Sequence, residues 1–197
     1  MEFTDEGIVV EKEPCTLDEL ILGVAAVLER VGVQYVVVSG YVAVLLGRAR
    51  ATEDIDVLTE RFDADTADTL ASRLREAGYW GSAMPLDDLH VTLADDLPVR
   101  VAQSGDRVPN VELKFVADEF DRRSLSDTIS VTFGDQTLRV VRPELQIAYK
   151  LGMSADRDFE DARYLYETVG DALSEERLET YVDQLGVRTQ YDRLDGG

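Results

Sequence analysis

Two carboxylates stand two residues apart in an apolar stretch of the sequence. Asp54 and Asp56 flank Ile55 and are followed by Val57 and Leu58. Because side chains alternate along a β-strand, both carboxylates would point to the same face. Such a pair can bind Mg²⁺, which prefers oxygen ligands and usually also takes oxygens from substrate phosphates. The spacing therefore indicates metal-assisted phosphate chemistry.

A glycine-containing turn precedes this pair. Ser39-Gly40 follows the apolar run 36–38 and opens a short apolar, helix-like stretch, and Gly40 precedes Asp54 by 14 residues. A turn of this kind at the start of a helix offers backbone N–H groups to phosphate oxygens. Together the turn and the aspartates predict a site for a metal-bound nucleoside triphosphate. The alternative interpretation of Asp-x-Asp is a solvent-exposed strand face without a function. The upstream Ser39-Gly40 turn favours a functional site.

A third carboxylate on an adjacent strand would complete a two-metal arrangement, which stabilises both the attacking and the leaving oxygen of an in-line displacement. The alternation over residues 111–116 places Glu112 and Lys114 on the same face of a predicted strand. We therefore predict Glu112 as the third ligand, beside Lys114.

The elements that position these residues can be predicted from their periodicity. Strands are predicted over residues 34–38, 55–58 and 111–116, with short strands at 91–93 and 99–101 and a hairpin over 128–141. Helices are predicted from Thr16 to near Gly32 and over residues 41–46, 63–77 and 120–125, and only helices follow Pro143. This order predicts an α+β fold, with an α/β core over residues 1–142 and a helical C-terminal subdomain over 143–197 packed on it.

Composition narrows the class of protein. The 197 residues are 45% hydrophobic and include one cysteine, Cys15, which excludes an internal disulfide and a multi-cysteine zinc site. No apolar run approaches the roughly 18 residues of a membrane span, and the acidic N-terminus lacks the features of a signal peptide. We therefore expect a cytoplasmic protein without a membrane partner.

Charge is the strongest global signal. The formal net charge is −20, and 17 of the 20 basic residues are arginine. An acidic surface repels nucleic acid phosphates over most of its area, so broad non-specific DNA binding is not expected. Such a lysine-poor surface resembles those of proteins from extreme halophiles, where salt screens self-repulsion. The alternative is an ordinary acidic mesophilic protein.

Two stretches carry a family resemblance. SGYVAVLLGRARATEDIDV resembles the signature of the nucleotidyltransferase superfamily, in which a Gly-Gly or Gly-Ser pair precedes Asp-x-Asp by about a dozen residues. The segment from Arg50 to Asp56 is similar to the minimal nucleotidyltransferases related to the abortive-infection toxin AbiEii. PELQIAYKLGMSADRDFEDARYL resembles the second signature of that group, with matching residues at Lys150, Arg157, Asp158 and Asp161.

The resemblance implies a mixed sheet flanked by helices and transfer of a nucleoside monophosphate from a nucleoside triphosphate to a hydroxyl of RNA or of a protein. Two Mg²⁺ ions would be held by Asp54, Asp56 and Glu112. Ser39 and Gly40 would lie under the triphosphate, and Lys150 would offset phosphate charge, oriented by Asp158 or Asp161. Arg50, Thr52 and Lys114 complete the predicted nucleotide-binding set. The group also implies a toxin–antitoxin or phage-defence role with a cognate antitoxin or partner protein.

Two positions depart from the family pattern. Serine replaces the first glycine at Ser39, and the third carboxylate is Glu112 instead of the commoner aspartate, followed by Lys114, which can replace a cation. They motivate a second hypothesis, a catalytically silent nucleotide-binding or antitoxin-like interaction module on the same fold. A third hypothesis is a transferase of the aminoglycoside-modifying type, in which an acidic pocket would attract a cationic small molecule.

Overall fold

The computed structural model describes residues 1–4, 7–153 and 155–195. In this part of the chain the strands are β1 (Glu2–Thr4), β2 (Gly7–Val9), β3 (Tyr35–Val38), β4 (Asp54–Thr59), β5 (Tyr79–Gly81), β6 (Val99–Gln103), β7 (Asn110–Phe115), β8 (Thr128–Phe133) and β9 (Gln136–Val141). They form one mixed sheet in the order β1-β2-β8-β9-β3-β4-β7-β6-β5. At its centre β3 is antiparallel to β4, whereas β4 is parallel to β7.

The helices of the described residues are α1 (Thr16–Val31), α2 (Gly40–Leu45), α3 (Ala64–Glu76), α4 (Leu89–Ala94), α5 (Glu119–Ser126), α6 (Pro143–Gly152), α7 (Asp156–Val169), α8 (Glu175–Leu185) and α9 (Arg188–Asp195). Helix α1 packs against β7, β9 and α3, and α6 contacts α7, α8 and α9. The apolar stripe of α1 includes Ile21, Val24 and Leu28, which are fully buried at helical spacing.

The pairing of β3, β4 and β7 positions the predicted site. Val38 and Glu112 are the register partners of Asp56 on either side, and Lys114 is the partner of Leu58. Side chains alternate along each strand, so these groups share one face of the sheet. The intervening Ile55 and Val57 lie on the opposite face and are fully buried. One face of β4 therefore carries the charged residues, and the other belongs to the hydrophobic core.

The predicted strand over residues 91–93 is wrong, because these residues lie in α4. Leu89 and Leu93 are buried one turn apart, whereas Val91 between them is 64% exposed. This burial follows helical spacing and not strand alternation. The predicted strand at residues 99–101 is confirmed within β6, and the predicted hairpin is confirmed by antiparallel β8 and β9.

Helices α6 to α9 confirm the predicted C-terminal helical segment. Positions 154, 196 and 197 of that segment lie outside the described residues, and its separation from the core as a subdomain stays a prediction. Within the described ranges, no helix has both the length and the apolarity needed to cross a bilayer. The α+β class with a mixed sheet and flanking helices is confirmed.

Candidate active site

A cavity of about 330 Å³ lies between the charged face of the sheet and helices α5 and α6. This volume is within the range of small-ligand sites. Ser39, Asp56 and Lys114 line it from the sheet side, and the remaining lining residues are Val38, Leu58, Asp96, Phe115, Ala117, Phe120, Asp121, Gln146, Tyr149 and Met153. The rings of Phe120 and Tyr149 stack with centroids 4.2 Å apart, which makes one wall aromatic.

Lys114 bridges two of the predicted metal ligands. Its Nζ lies 2.6 Å from Asp56 Oδ1 and 3.2 Å from Glu112 Oε2. Glu112 Oε1 accepts a hydrogen bond from Arg100 Nε at 2.8 Å, so both oxygens of this buried carboxylate face a cation. Burial would lower the pKa of Lys114, but Asp56 and Glu112 outweigh it and hold the pKa above its ordinary value of 10.5. The ammonium is therefore charged at neutral pH.

The free carboxylate oxygens decide how well the site fits Mg²⁺. Asp54 is exposed, and its Oδ1 lies 3.2 Å from the hydroxyl of Thr52. The Oδ2 atoms of Asp54 and Asp56 accept no hydrogen bond from any described residue. These free oxygens are ligands of the type that Mg²⁺ prefers, and an ion held by them would take its remaining ligands from phosphate oxygens. A second ion at Glu112 would require Lys114 to move, so the predicted pair of ions stays a prediction.

The positions of the possible metal ligands agree with a metal that is held only partly by protein side chains. Across residues 1–4, 7–153 and 155–195, no three His, Cys, Asp or Glu side chains are grouped so that they could hold a metal ion by themselves. The carboxylates of the site are instead interleaved with cations from the chain. Any bound metal would therefore depend on ligand oxygens for part of its coordination.

The Ser39-Gly40 turn connects β3 to α2 in an unusual backbone conformation. Ser39 has φ 65° and ψ −138°, a positive φ that favours glycine. Its N–H donates a hydrogen bond to Oε1 of the buried Gln146 at 3.0 Å. Gly40 lies against the guanidinium of Arg50, since an added Cβ would come within 2.8 Å of Arg50 Nη2. The turn is held on one side by α6 and on the other by Arg50.

The residues of the second signature form a separate, buried ion cluster. Lys150 Nζ lies 2.5 Å from Asp158 Oδ1 and 3.0 Å from Asp161 Oδ2. Arg50 Nη1 donates to Asp161 Oδ2 at 2.6 Å, and Arg48 forms an ion pair with the other oxygen of Asp161. Burial lowers the pKa of Lys150 below its ordinary value, and Asp158 offsets part of this effect. Lys150 thus contacts its two carboxylates and does not line the cavity.

The structure brings predicted residues together in two groups, whereas Asp54 and Thr52 do not line the cavity. Ser39, Asp56 and Lys114 meet at the cavity, with Glu112 held beside them. The group of Lys150, Asp158 and Asp161 lies behind Gly40 and is connected to it through Arg50. Which of these residues contact substrate stays a prediction.

Sequence reasoning missed three residues of this region. Gln146 and Tyr149 lie on α6 and line the cavity, and Arg100 on β6 binds Glu112. The signal for Gln146 was a polar residue inside the otherwise apolar run 145–148. A buried polar side chain in a helix usually has a specific partner, and this one binds the backbone of Ser39.

The similarity of this chain to known proteins lies in its fold. Neither a model of a known protein family nor a curated protein matches the chain. The structure is similar to that of an antigenic nucleotidyltransferase-like protein from Paracoccidioides brasiliensis, with 18% sequence identity, a TM-score of 0.55 and 88% of each chain covered. The fold is nucleotidyltransferase-like. This finding agrees with the fold implied by the two signatures, and at this identity the likeness concerns the fold alone.

Proposed function

We propose that the protein is a nucleotidyltransferase that binds a nucleoside triphosphate in the cavity. The observation that carries the proposal is the meeting of Ser39, Asp56 and Lys114 at one cavity of a nucleotidyltransferase-like fold. An acceptor hydroxyl oxygen forms a bond to the α-phosphorus while the bond from that phosphorus to the bridging oxygen breaks. Pyrophosphate leaves with the electron pair, and the hydroxyl proton passes to water.

The residues act mainly by positioning and by electrostatics, since phosphoryl-type transfer requires little covalent chemistry from the protein. Asp54 and Asp56 would hold Mg²⁺, which when bound would neutralise charge on the phosphates. The backbone of Ser39 and Gly40 lies along the triphosphate, and Lys114 supplies a further positive charge. Thr52 orients Asp54 through its hydroxyl.

Lys150, Asp158 and Asp161 contribute indirectly in this proposal. Asp161 binds Arg50, and the guanidinium of Arg50 packs on Gly40. The buried cluster therefore fixes the glycine turn from behind. Lys150 keeps Asp161 in place, since it is hydrogen-bonded to Asp158 and paired with Asp161.

The finer assignment rests on the sequence signatures. The segment from Arg50 to Asp56, with Lys150 and the Arg157-Asp158-x-x-Asp161 pattern, supports membership of the AbiEii-like group. This membership would make RNA or a protein the acceptor and would imply a toxin or phage-defence role with a partner protein. The net charge of −20 supports a halophilic source. The aminoglycoside-type alternative has Asp56, Asp96 and Asp121 at the cavity in its favour.

The second candidate is a nucleotide-binding module without transferase activity. The observation in its favour is the bridge from Lys114 to Asp56 and Glu112, which places a fixed cation among the metal ligands. Such a module would bind nucleotide without needing a divalent ion. Asp54→Ala would then leave nucleotide affinity unchanged.

Labelling experiments distinguish the two candidates. The protein is incubated with Mg²⁺, each of four α-labelled nucleoside triphosphates, and either total RNA or candidate protein acceptors. We expect Mg²⁺-dependent labelling that falls by about 100-fold or more in Asp54→Asn and Asp56→Asn, a loss comparable to that of a group that stabilises charge in the transition state. Glu53→Gln, which removes an exposed neighbouring charge, is the matched control. Absence of labelling with all four nucleotides, combined with metal-independent nucleotide binding by calorimetry, would establish the silent module.

A further inference from the structure

Among the described residues, the side-chain oxygen of Gln146 has a hydrogen-bond partner and the side-chain nitrogen has none. The side chain is 1% exposed, and Oε1 accepts the hydrogen bond from the backbone N–H of Ser39. Nε2 is buried and has no hydrogen-bond partner among the described residues. The orientation of the amide is fixed, because an N–H donor requires the oxygen and not the nitrogen to face it.

The residue that carries this free donor lines the cavity. Gln146 lines it together with Ser39, Asp56 and Lys114. Nε2 shares a carbon with the oxygen that binds Ser39, so it lies next to the Ser39-Gly40 turn. Since buried donors in folded proteins nearly always have a partner, a bound group that offers an acceptor would complete this amide.

The surrounding charges restrict what that acceptor can be. Asp56, Asp96 and Asp121 line the cavity with Lys114, whose ammonium is already paired with Asp56, so an anion bound there needs further hydrogen-bond donors. A neutral amide N–H group supplies one without adding a charge that would have to be desolvated. The donor is adjacent to the backbone that the proposed function places along the triphosphate. On that proposal an oxygen of the phosphate chain is the acceptor for Gln146 Nε2, since the N–H of Ser39 is already donated to Gln146 Oε1.

We infer that Gln146 binds the phosphate chain of the nucleotide: Oε1 fixes the turn at Ser39, and Nε2 donates to a phosphate oxygen. This inference rests on the proposed function. The residue thus has two tasks, one toward the backbone of its own chain and one toward the ligand, and a substitution can separate them.

The Gln146→Glu substitution should retain the contact with the Ser39 backbone and remove the contact with the ligand. The variant keeps an oxygen for the Ser39 N–H and replaces the donor by an acceptor that repels phosphate. Calorimetry in Mg²⁺ would compare a non-hydrolysable nucleoside triphosphate with inorganic triphosphate for the wild type, Gln146→Glu and Gln146→Met. Gln184→Glu adds the same charge on the exposed face of α8 and is the control. Urea unfolding reports whether each variant is folded.

We expect Gln146→Glu and Gln146→Met to weaken the binding of both ligands by roughly tenfold or more, and Gln184→Glu to leave it within about twofold of the wild type. Unchanged affinity in folded Gln146→Glu would overturn the inference alone. Weaker binding of the nucleotide with unchanged binding of inorganic triphosphate would also overturn it, since Gln146 would then contact the base or the sugar. Absence of binding of either ligand by the wild type would instead overturn the proposed function, and the inference with it.

Discussion

Lys114 Nζ lies 2.6 Å from Asp56 Oδ1, at the edge of the cavity. The two residues are 58 positions apart in the chain and meet because β4 and β7 are parallel neighbours. The same ammonium contacts Glu112. A cation from the chain thus lies between two carboxylates that the sequence signature assigns to metal ions. A divalent ion at this site would have to compete with this ammonium for Asp56 and Glu112.

Removal of Lys114 should strengthen metal binding. In Lys114→Met, Asp56 and Glu112 lose their shared counter-ion, so a divalent ion would replace it. We expect Mn²⁺ or Mg²⁺ to bind about tenfold tighter by calorimetry. Arg122→Met, which removes an exposed positive charge on α5, should leave metal affinity unchanged. Equal metal affinity in Lys114→Met and the wild type would show that the lysine does not compete with the ion.

Loss of Lys150 should destabilise the fold. Lys150→Met leaves Asp158 and Asp161 buried without the cation that they share. Removal of one partner of a buried ion pair typically costs about 3–5 kcal/mol in the free energy of unfolding. Urea denaturation would measure this loss. The double variant Lys150→Met/Asp158→Asn should lose less than the sum of the single variants, and a loss below about 1 kcal/mol in Lys150→Met would contradict the burial of this pair.

Glycine at position 39 should stabilise the protein. Ser39 has φ 65° and ψ −138°, and a non-glycine residue in such a region costs of the order of 1–3 kcal/mol. Part of this gain is cancelled by the greater freedom of glycine in the unfolded chain, so we expect Ser39→Gly to add about 1 kcal/mol to the free energy of unfolding. Ser39→Ala keeps the strain and serves as the control. A less stable Ser39→Gly would mean that the serine side chain makes a compensating contact.

Asp18 should contribute to stability at neutral pH and less in acid. This buried carboxylate accepts hydrogen bonds from Tyr41 and from the backbone of Cys15, and it pairs with Lys12. Burial would raise its pKa, but these partners outweigh that effect and hold the pKa below the ordinary value of 3.8. The stabilisation is therefore complete above about pH 3.8 and is lost as the pH falls through the lower, folded-state pKa.

The test of this pH dependence uses Asp18→Asn. At pH 7 we expect the variant to be less stable than the wild type by about 2 kcal/mol, as for lost hydrogen bonds to a charged group. The difference should narrow below about pH 3.8, where the carboxylate of the unfolded wild type takes up a proton while that of the folded state still resists protonation. Urea unfolding between pH 3 and pH 7 measures both quantities, with exposed Asp68→Asn as the control. A difference that stays constant with pH would refute the assignment.

Salt should stabilise the protein strongly. At a net charge of −20 the folded state suffers self-repulsion, which is screened as the Debye length falls from about 10 Å at 0.1 M to about 3 Å at 1 M salt. We expect the urea midpoint to rise steadily with KCl up to molar concentrations. A variant with Asp65→Lys and Asp68→Lys on exposed positions of α3 should respond less. A midpoint that does not change with KCl would contradict the halophilic interpretation.

The sequence by itself determined the features that depend on short-range order. The alternation of side chains along a strand is sufficient to place Asp54 and Asp56 on one face, and β4 shows this placement. Helical periodicity and the proline at position 143 likewise predicted the C-terminal helices. The sequence was ambiguous at residues 91–93, because three residues fit both the alternation of a strand and the periodicity of a helix. In the structure these residues lie in α4, with the burial pattern of a helix.

Only the tertiary structure decided which partners meet. Ser39 and Gln146 are 107 residues apart in the chain, and Asp161 lies 111 residues from Arg50. Such contacts depend on strand order, on register and on the docking of α6 and α7, and no local spacing specifies them. That Lys150 offsets phosphate charge was implied by the family resemblance and stays a prediction, whereas only the packing of α6 against α7 shows that its ammonium lies between two carboxylates. The physical reason is that a buried charge takes the counter-ion that the fold places beside it.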